Sequence, residues 1–73
     1  MFTANAPTAH DILEQLRKLY LERAVARLDG HDSNRPYMAN LEQAIVDHQR
    51  AAVGAAVTEI ATLRAELSGP LHG

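Results

Sequence analysis

Apolar residues recur every three or four positions along two stretches of the chain, which is the spacing of amphipathic helices. The first stretch covers residues 9–29. Thr8 precedes it as a helix N-cap, and Asp11 completes a capping-box pattern three residues later. Gly30 follows it, and glycine readily takes the left-handed conformation that closes a helix. The pattern predicts a first helix over residues 9–29.

The second stretch is longer and covers residues 36–68. Pro36 suits the first turn of a helix, and Gly69-Pro70 ends the pattern. Residues 30–35 join the two stretches and are rich in turn-forming residues, so the helices are expected to run antiparallel. We therefore predict an all-α helical hairpin with no strand.

A chain of 73 residues is long enough for one domain only. We treat residues 1–73 as that single domain, with flexible tails at residues 1–7 and 69–73. A domain of this size is close to the lower limit for burying an adequate core, and it commonly needs a disulfide, a metal or a partner chain. The chain has no cysteine, so a partner chain becomes the leading expectation.

The apolar stripe of the first helix changes direction halfway along. Its second half carries Leu21, Val25 and Leu28 on a face rotated away from the first, while Arg23 and Arg27 take over the original face. A stripe that turns in this way is typical of a helix with two different neighbours. The arginines, four residues apart, are expected to be solvated or to form minor salt bridges with residues such as Glu42. The alternative is that they clamp a carboxylate or phosphate ligand.

The apolar face of the second helix is broader and longer than one partner helix can cover. In an antiparallel hairpin the first helix covers the second only as far as about Ala56. Ile60, Leu63 and Leu67 of the second helix then extend beyond it as an overhang. Burying one such side chain stabilises by roughly 1.5–3 kcal/mol. We therefore predict that a second copy covers the overhang and that the homodimer is an antiparallel four-helix bundle.

The small residues around Gly54 allow a close helix crossing, most simply at a dimer two-fold axis, or form a small-walled pocket for a flat ligand. His48 and Glu59 lie equidistant from an axis between Val53 and Gly54, so they are candidates for a pair across the dimer. The predicted interface comprises Leu21, Val25, Leu28, Leu41, Ile45, His48, Ala52, Ala55, Ala56, Glu59, Ile60, Leu63 and Leu67.

The charge and hydropathy of the sequence argue against two classes of partner, nucleic acid and membrane. The net charge is −2 and the basic residues are scattered, whereas nucleic-acid binding needs a basic face. No apolar run approaches the ~20 residues of a membrane span, and the N-terminus lacks the features of a signal peptide. We expect a cytoplasmic protein that binds neither nucleic acid nor membrane.

The sequence carries no motif that identifies a family or a reaction. His10 is the only histidine with another potential metal ligand, Glu14, three or four residues away on the same helix. One such pair is weak evidence for a metal site. We therefore predict no catalytic, cofactor or metal residues and no enzyme activity. The expected function is that of a small interaction, regulatory or accessory protein. The alternatives are a small subunit of a larger hetero-complex and a ligand- or metal-binding helical bundle.

Overall fold

A computed structural model describes residues 7–68 as a hairpin of two helices. Helix α1 spans Ala9–Leu28, a single 3-10 turn spans His31–Ser33, and helix α2 spans Arg35–Ser68. The described residues contain no strand, which confirms the all-α prediction for this part of the chain. The predicted tails lie outside the described residues, apart from Pro7.

The capping box at the start of α1 forms as predicted. The Thr8 hydroxyl oxygen accepts a hydrogen bond from the Asp11 N–H at 3.1 Å, and the Asp11 carboxylate accepts one from the Thr8 N–H at 3.1 Å. These bonds satisfy backbone N–H groups that the first turn leaves without partners. The local signal in the sequence was therefore sufficient to place this boundary.

The helix boundaries at the connection differ from the prediction by one residue each. Helix α1 ends at Leu28 because Asp29 is its C-cap, and Gly30 follows in the left-handed conformation with φ of 79°. Helix α2 begins at Arg35 because Asn34 caps it, its side-chain oxygen accepting the Tyr37 N–H at 3.2 Å.

Contacts along the hairpin show that its helices are antiparallel. The Ala9 N–H donates to the Glu59 carboxylate at 2.6 Å, the Gln49 amide donates to the Tyr20 hydroxyl at 2.8 Å, and Arg23 contacts Glu42 nearer the turn. Helix α1 therefore begins level with Glu59. Beyond that point α2 continues alone, for about 13 Å at 1.5 Å per residue.

The hairpin core is small and consists of aliphatic side chains. Ala26 is only 3 % exposed, although the sequence pattern had assigned this part of α1 to its arginines. The stripe of α1 that faces α2 therefore runs straight to the turn, with Arg23 included in it and half-buried. The buried residues are Ile12, Leu16, Ala26, Leu41, Ile45 and Ala52.

Candidate interaction surface

Helix α2 carries two apolar seams, each repeating at alternating steps of three and four residues. That spacing keeps side chains on one face of a helix that packs along another helix. We call the first the closed seam; it comprises Met38, Leu41, Ile45, His48, Ala52, Ala55 and Glu59. We call the second the open seam; it comprises Val46, Gln49, Val53, Ala56, Ile60, Leu63 and Leu67.

The closed seam packs against α1. Leu41 and Ile45 form the centre of the core together with Leu16 of α1, and Leu19 and Met38 pack around them. Glu59, the last residue of this seam, binds the first N–H of α1. A carboxylate at that position also interacts favourably with the positive end of the helix dipole. The seam is therefore buried or half-buried from Met38 to Ala55, and only its last residue, Glu59, is exposed.

The open seam lies one residue further along the chain than the closed seam, so it points about 100° away around the helix axis. Val46, at its start, is half-buried, but the other large aliphatic side chains lie largely in solvent. Val53 is 65 % exposed, Ile60 52 %, Leu63 54 % and Leu67 64 %. Val57 beside it is 60 % exposed. Neighbouring partners about a quarter-turn apart are typical of a helix in a four-helix bundle.

Helix α1 carries exposed apolar side chains on its far side. Leu21 and Leu28 come two residues after Leu19 and Ala26, which face α2, so they point roughly 200° away from that direction. Leu28 is 86 % exposed. This far-side patch, which we define as Leu21, Val25 and Leu28, is separate from the open seam.

The structure divides the predicted interface residues between core and surface. Leu41, Ile45 and Ala52 are buried within the hairpin, so they offer little surface to a second chain, and their contact with one stays a prediction. Ala55 and Ala56 are half-buried. The overhang prediction placed Ile60, Leu63 and Leu67 beyond the end of α1, and the structure leaves them exposed there.

The predicted pair of His48 and Glu59 has partners within the chain. The His48 Nδ1–H donates to the Ala44 carbonyl at 2.8 Å, and Glu59 accepts from Ala9. Both residues belong to the closed seam. A contact between them across a dimer would require Glu59 to leave the start of α1.

Gly54 makes no close contact within the hairpin, and a Cβ atom added to it would meet no atom within 4 Å. It borders a groove of about 290 Å³ between the start of α1 and the middle of α2. Most of the groove wall is itself exposed, so the groove does not enclose a ligand. The residues lining it are Pro7, Thr8, Gly54, Ala55, Thr58 and Glu59.

Polar contacts hold the hairpin together near its turn. As predicted, Arg23 and Arg27 both contact Glu42, at 2.9 and 3.7 Å. The Arg23 guanidinium also lies 5.3 Å from the centre of the Tyr20 ring, within the range of a cation–π interaction.

On the opposite side of the hairpin, the Tyr37 hydroxyl donates to Glu22 at 2.6 Å. This hydrogen bond, with smaller contributions from desolvation and from the Glu22 charge, raises the pKa of Tyr37. This pair could not be predicted from the sequence, since the two residues meet only once the hairpin register is set.

Within residues 7–68, the structure brings no three potential metal-ligating side chains together. Neither of the two helices described is both long and apolar enough to cross a membrane. The apolar surfaces are thus the main feature of this part of the chain that calls for a functional explanation. No family model, curated protein or solved structure shows significant similarity to this chain, so these surfaces are interpreted from their own geometry.

Proposed function

We propose that this chain is a small non-enzymatic interaction protein, and that it self-associates into a four-helix bundle before it contacts other proteins. The observation that carries the proposal is the open seam. It continues for seven positions with helix-packing spacing, and four of its five large aliphatic side chains are more than half exposed. Water-exposed apolar side chains in a continuous line mark a surface that another protein covers.

The small core supports the same proposal. Among residues 7–68, only six hydrophobic residues are buried, two of them alanines, whereas ten large hydrophobic residues are exposed. A two-helix layer has no third element to place over these side chains. A second hairpin supplies one, and dimers of hairpins are a standard way to complete a four-helix bundle.

The experiment is a molar-mass measurement by light scattering on the purified chain and on two variants. The wild type is expected to be a dimer. Leu63→Glu places a charge in the open seam, and it is expected to yield a monomer or an unfolded chain because an unpaired buried charge is strongly unfavourable. Ala61→Glu is the matched control, since the same charge two residues earlier lies at an exposed position outside both seams and should leave the mass unchanged. A monomeric, folded wild type would contradict the proposal.

A second candidate function is a small subunit of a larger hetero-complex, and the far-side patch favours it. Leu21 and Leu28 point away from α2, so a bundle formed through the open seam leaves them uncovered. If the isolated chain proves monomeric or aggregates, the hetero-complex becomes the better explanation. If it is a stable dimer, the far-side patch is the surface on which that dimer would contact a larger partner.

A further inference from the structure

The open seam has the spacing needed to pair with itself in the antiparallel direction. The seam residues form two alternating sets, and in such a pair each residue of one set faces a residue of the other set in the second copy. The first set is Val46, Val53, Ile60 and Leu67, and the second set is Gln49, Ala56 and Leu63. Layers of this kind are the basis of knobs-into-holes packing. The occupant that fits the seam is therefore a second α2 of the same sequence.

Two registers place six of the seven seam residues in such layers. In the first, the two-fold axis passes between Gly54 and Ala55, and the layers are Val46 with Leu63, Gln49 with Ile60, and Val53 with Ala56. In the second, the axis passes at Thr58, and the layers are Gln49 with Leu67, Val53 with Leu63, and Ala56 with Ile60. Other registers form fewer layers.

Charge distinguishes these two registers. The positions that flank the seam on one side are Gln43, Arg50, Val57 and Arg64. The axis at Thr58 brings Arg50 opposite Arg64 of the other copy, and does so twice, which is unfavourable because like charges repel. The axis between Gly54 and Ala55 instead brings Arg64 opposite Gln43 and Arg50 opposite Val57, with no like-charge pair.

The register of the hairpin supplies a second, independent argument. Ala9 lies at Glu59, so Leu13, four residues later on α1, lies level with Ala55. Leu13 also shares a face with Tyr20, seven residues further on, and Tyr20 contacts Gln49 of the open seam. The 53 % exposed Leu13 thus lies on the side of the open seam and level with the first axis. There it would meet Leu13 of the second copy.

We infer that two copies pack α2 against α2 in antiparallel fashion along the open seam, about a two-fold axis between Gly54 and Ala55, with Leu13 closing the contact beside it. This inference rests on the proposed self-association and specifies its face and register. The overlap would extend over about 40 Å of each α2, and it would cover the overhang without unpacking the hairpin.

Cysteine cross-linking tests the register. The chain has no native cysteine, so any disulfide must join the introduced residues. A mixture of Val46→Cys and Leu63→Cys chains should give a disulfide-linked heterodimer, because the two residues share a layer. Neither variant should cross-link with itself, since its two thiols would be about 25 Å apart along the helices. A mixture of Gln49→Cys and Leu67→Cys chains is the matched control. It should not cross-link, since these two thiols would be about 10 Å apart along the helices in this register.

The outcomes separate the inference from the proposed function. Cross-linking of the first mixture alone supports the register. Cross-linking of the second mixture overturns the register in favour of the axis at Thr58. If the wild-type chain is a dimer by light scattering and neither mixture cross-links, the open seam is not the interface, although self-association stands. If the wild-type chain is a folded monomer, both the proposed function and this inference fail.

Discussion

The two seams of α2 differ in what covers them, although their spacing is the same. The closed seam packs on α1: Leu41 and Ile45, 5 and 2 % exposed, lie in the core, and Glu59 binds the start of α1. The open seam carries larger side chains towards its C-terminal end, and no part of the hairpin covers them. In a single chain, only one of the two apolar faces of α2 is packed against another helix. Packing of the other face requires a second chain.

The comparison also shows how polar groups distinguish the seams. Contacts to Arg23, Tyr20 and Ala9 fix how α1 lies along α2. In the open seam the only polar member is Gln49, and its amide is already bonded to Tyr20. A polar residue within an apolar seam restricts the registers that a partner helix can adopt. The predictions below test each seam in turn.

The largest effect is expected in the closed seam. Ile45→Ala removes the most buried side chain of the core, and it should lower the free energy of unfolding by about 2–5 kcal/mol. Urea unfolding followed by circular dichroism, at a fixed protein concentration, measures this change. Lys18→Ala, on an exposed face of α1, is the control and should change little. Equal losses in the two variants would mean that the hairpin core is not as described.

A smaller effect is expected in the open seam. Ile60→Ala loses roughly 1 kcal/mol at each of two sites per dimer, because the side chain is about half exposed in the hairpin, so the dimer Kd should rise about 10- to 50-fold. Sedimentation equilibrium measures the Kd. Thr58→Ala, two residues before Ile60 and outside both seams, should leave the Kd unchanged. An unaltered Kd for Ile60→Ala would place the dimer contact elsewhere.

The start of α1 should respond less again. Thr8→Ala removes the capping hydroxyl and should lower the free energy of unfolding by about 1 kcal/mol. Thermal unfolding at fixed concentration measures the loss, with Thr58→Ala in the interior of α2 as the control. If the two threonine variants melt alike, the capping box contributes nothing measurable.

The smallest effect concerns the alkaline titration of Tyr37. Its neutral form is favoured by the hydrogen bond to Glu22, so the stabilisation is complete below the ordinary tyrosine pKa of about 10 and is lost as pH rises through the raised pKa. Glu22→Ala should lower the pKa of Tyr37 towards its ordinary value. Ultraviolet titration of the tyrosinate band measures it, and Glu66→Ala should leave the titration curve where it is in the wild type.

The sequence was most informative where the signals are local. Thr8, Asp11 and Gly30 act on their own backbone neighbours, so the helix ends could be predicted to within a residue. The same holds for the overhang, because it follows from helix lengths and a short connection. Glu42 was named from the sequence only as an example of a salt-bridge partner for Arg23 and Arg27, and the structure shows both contacts.

The sequence was less informative where two faces share one helix. Leu41, Ile45 and Ala52 were grouped with Ile60, Leu63 and Leu67 as one broad face, because an apolar pattern does not show where one neighbour ends and the next begins. The side of α2 on which α1 packs decides which of these residues are buried and which stay exposed, and the orientation of α1 about its own axis is part of that packing. The same packing also buries Ala26, which carries too little apolar surface to stand out beside the arginines.

Hydrogen–deuterium exchange of residues 60–68 at a series of protein concentrations tests the central claim most directly. A helix end packed on a second copy exchanges slowly, whereas a helix end that projects alone into solvent frays. We expect slow exchange in this segment at high concentration and progressively faster exchange on dilution, while the segment around Leu41 and Ile45 changes less. Fast exchange of residues 60–68 at every concentration would show that no second copy covers the open seam.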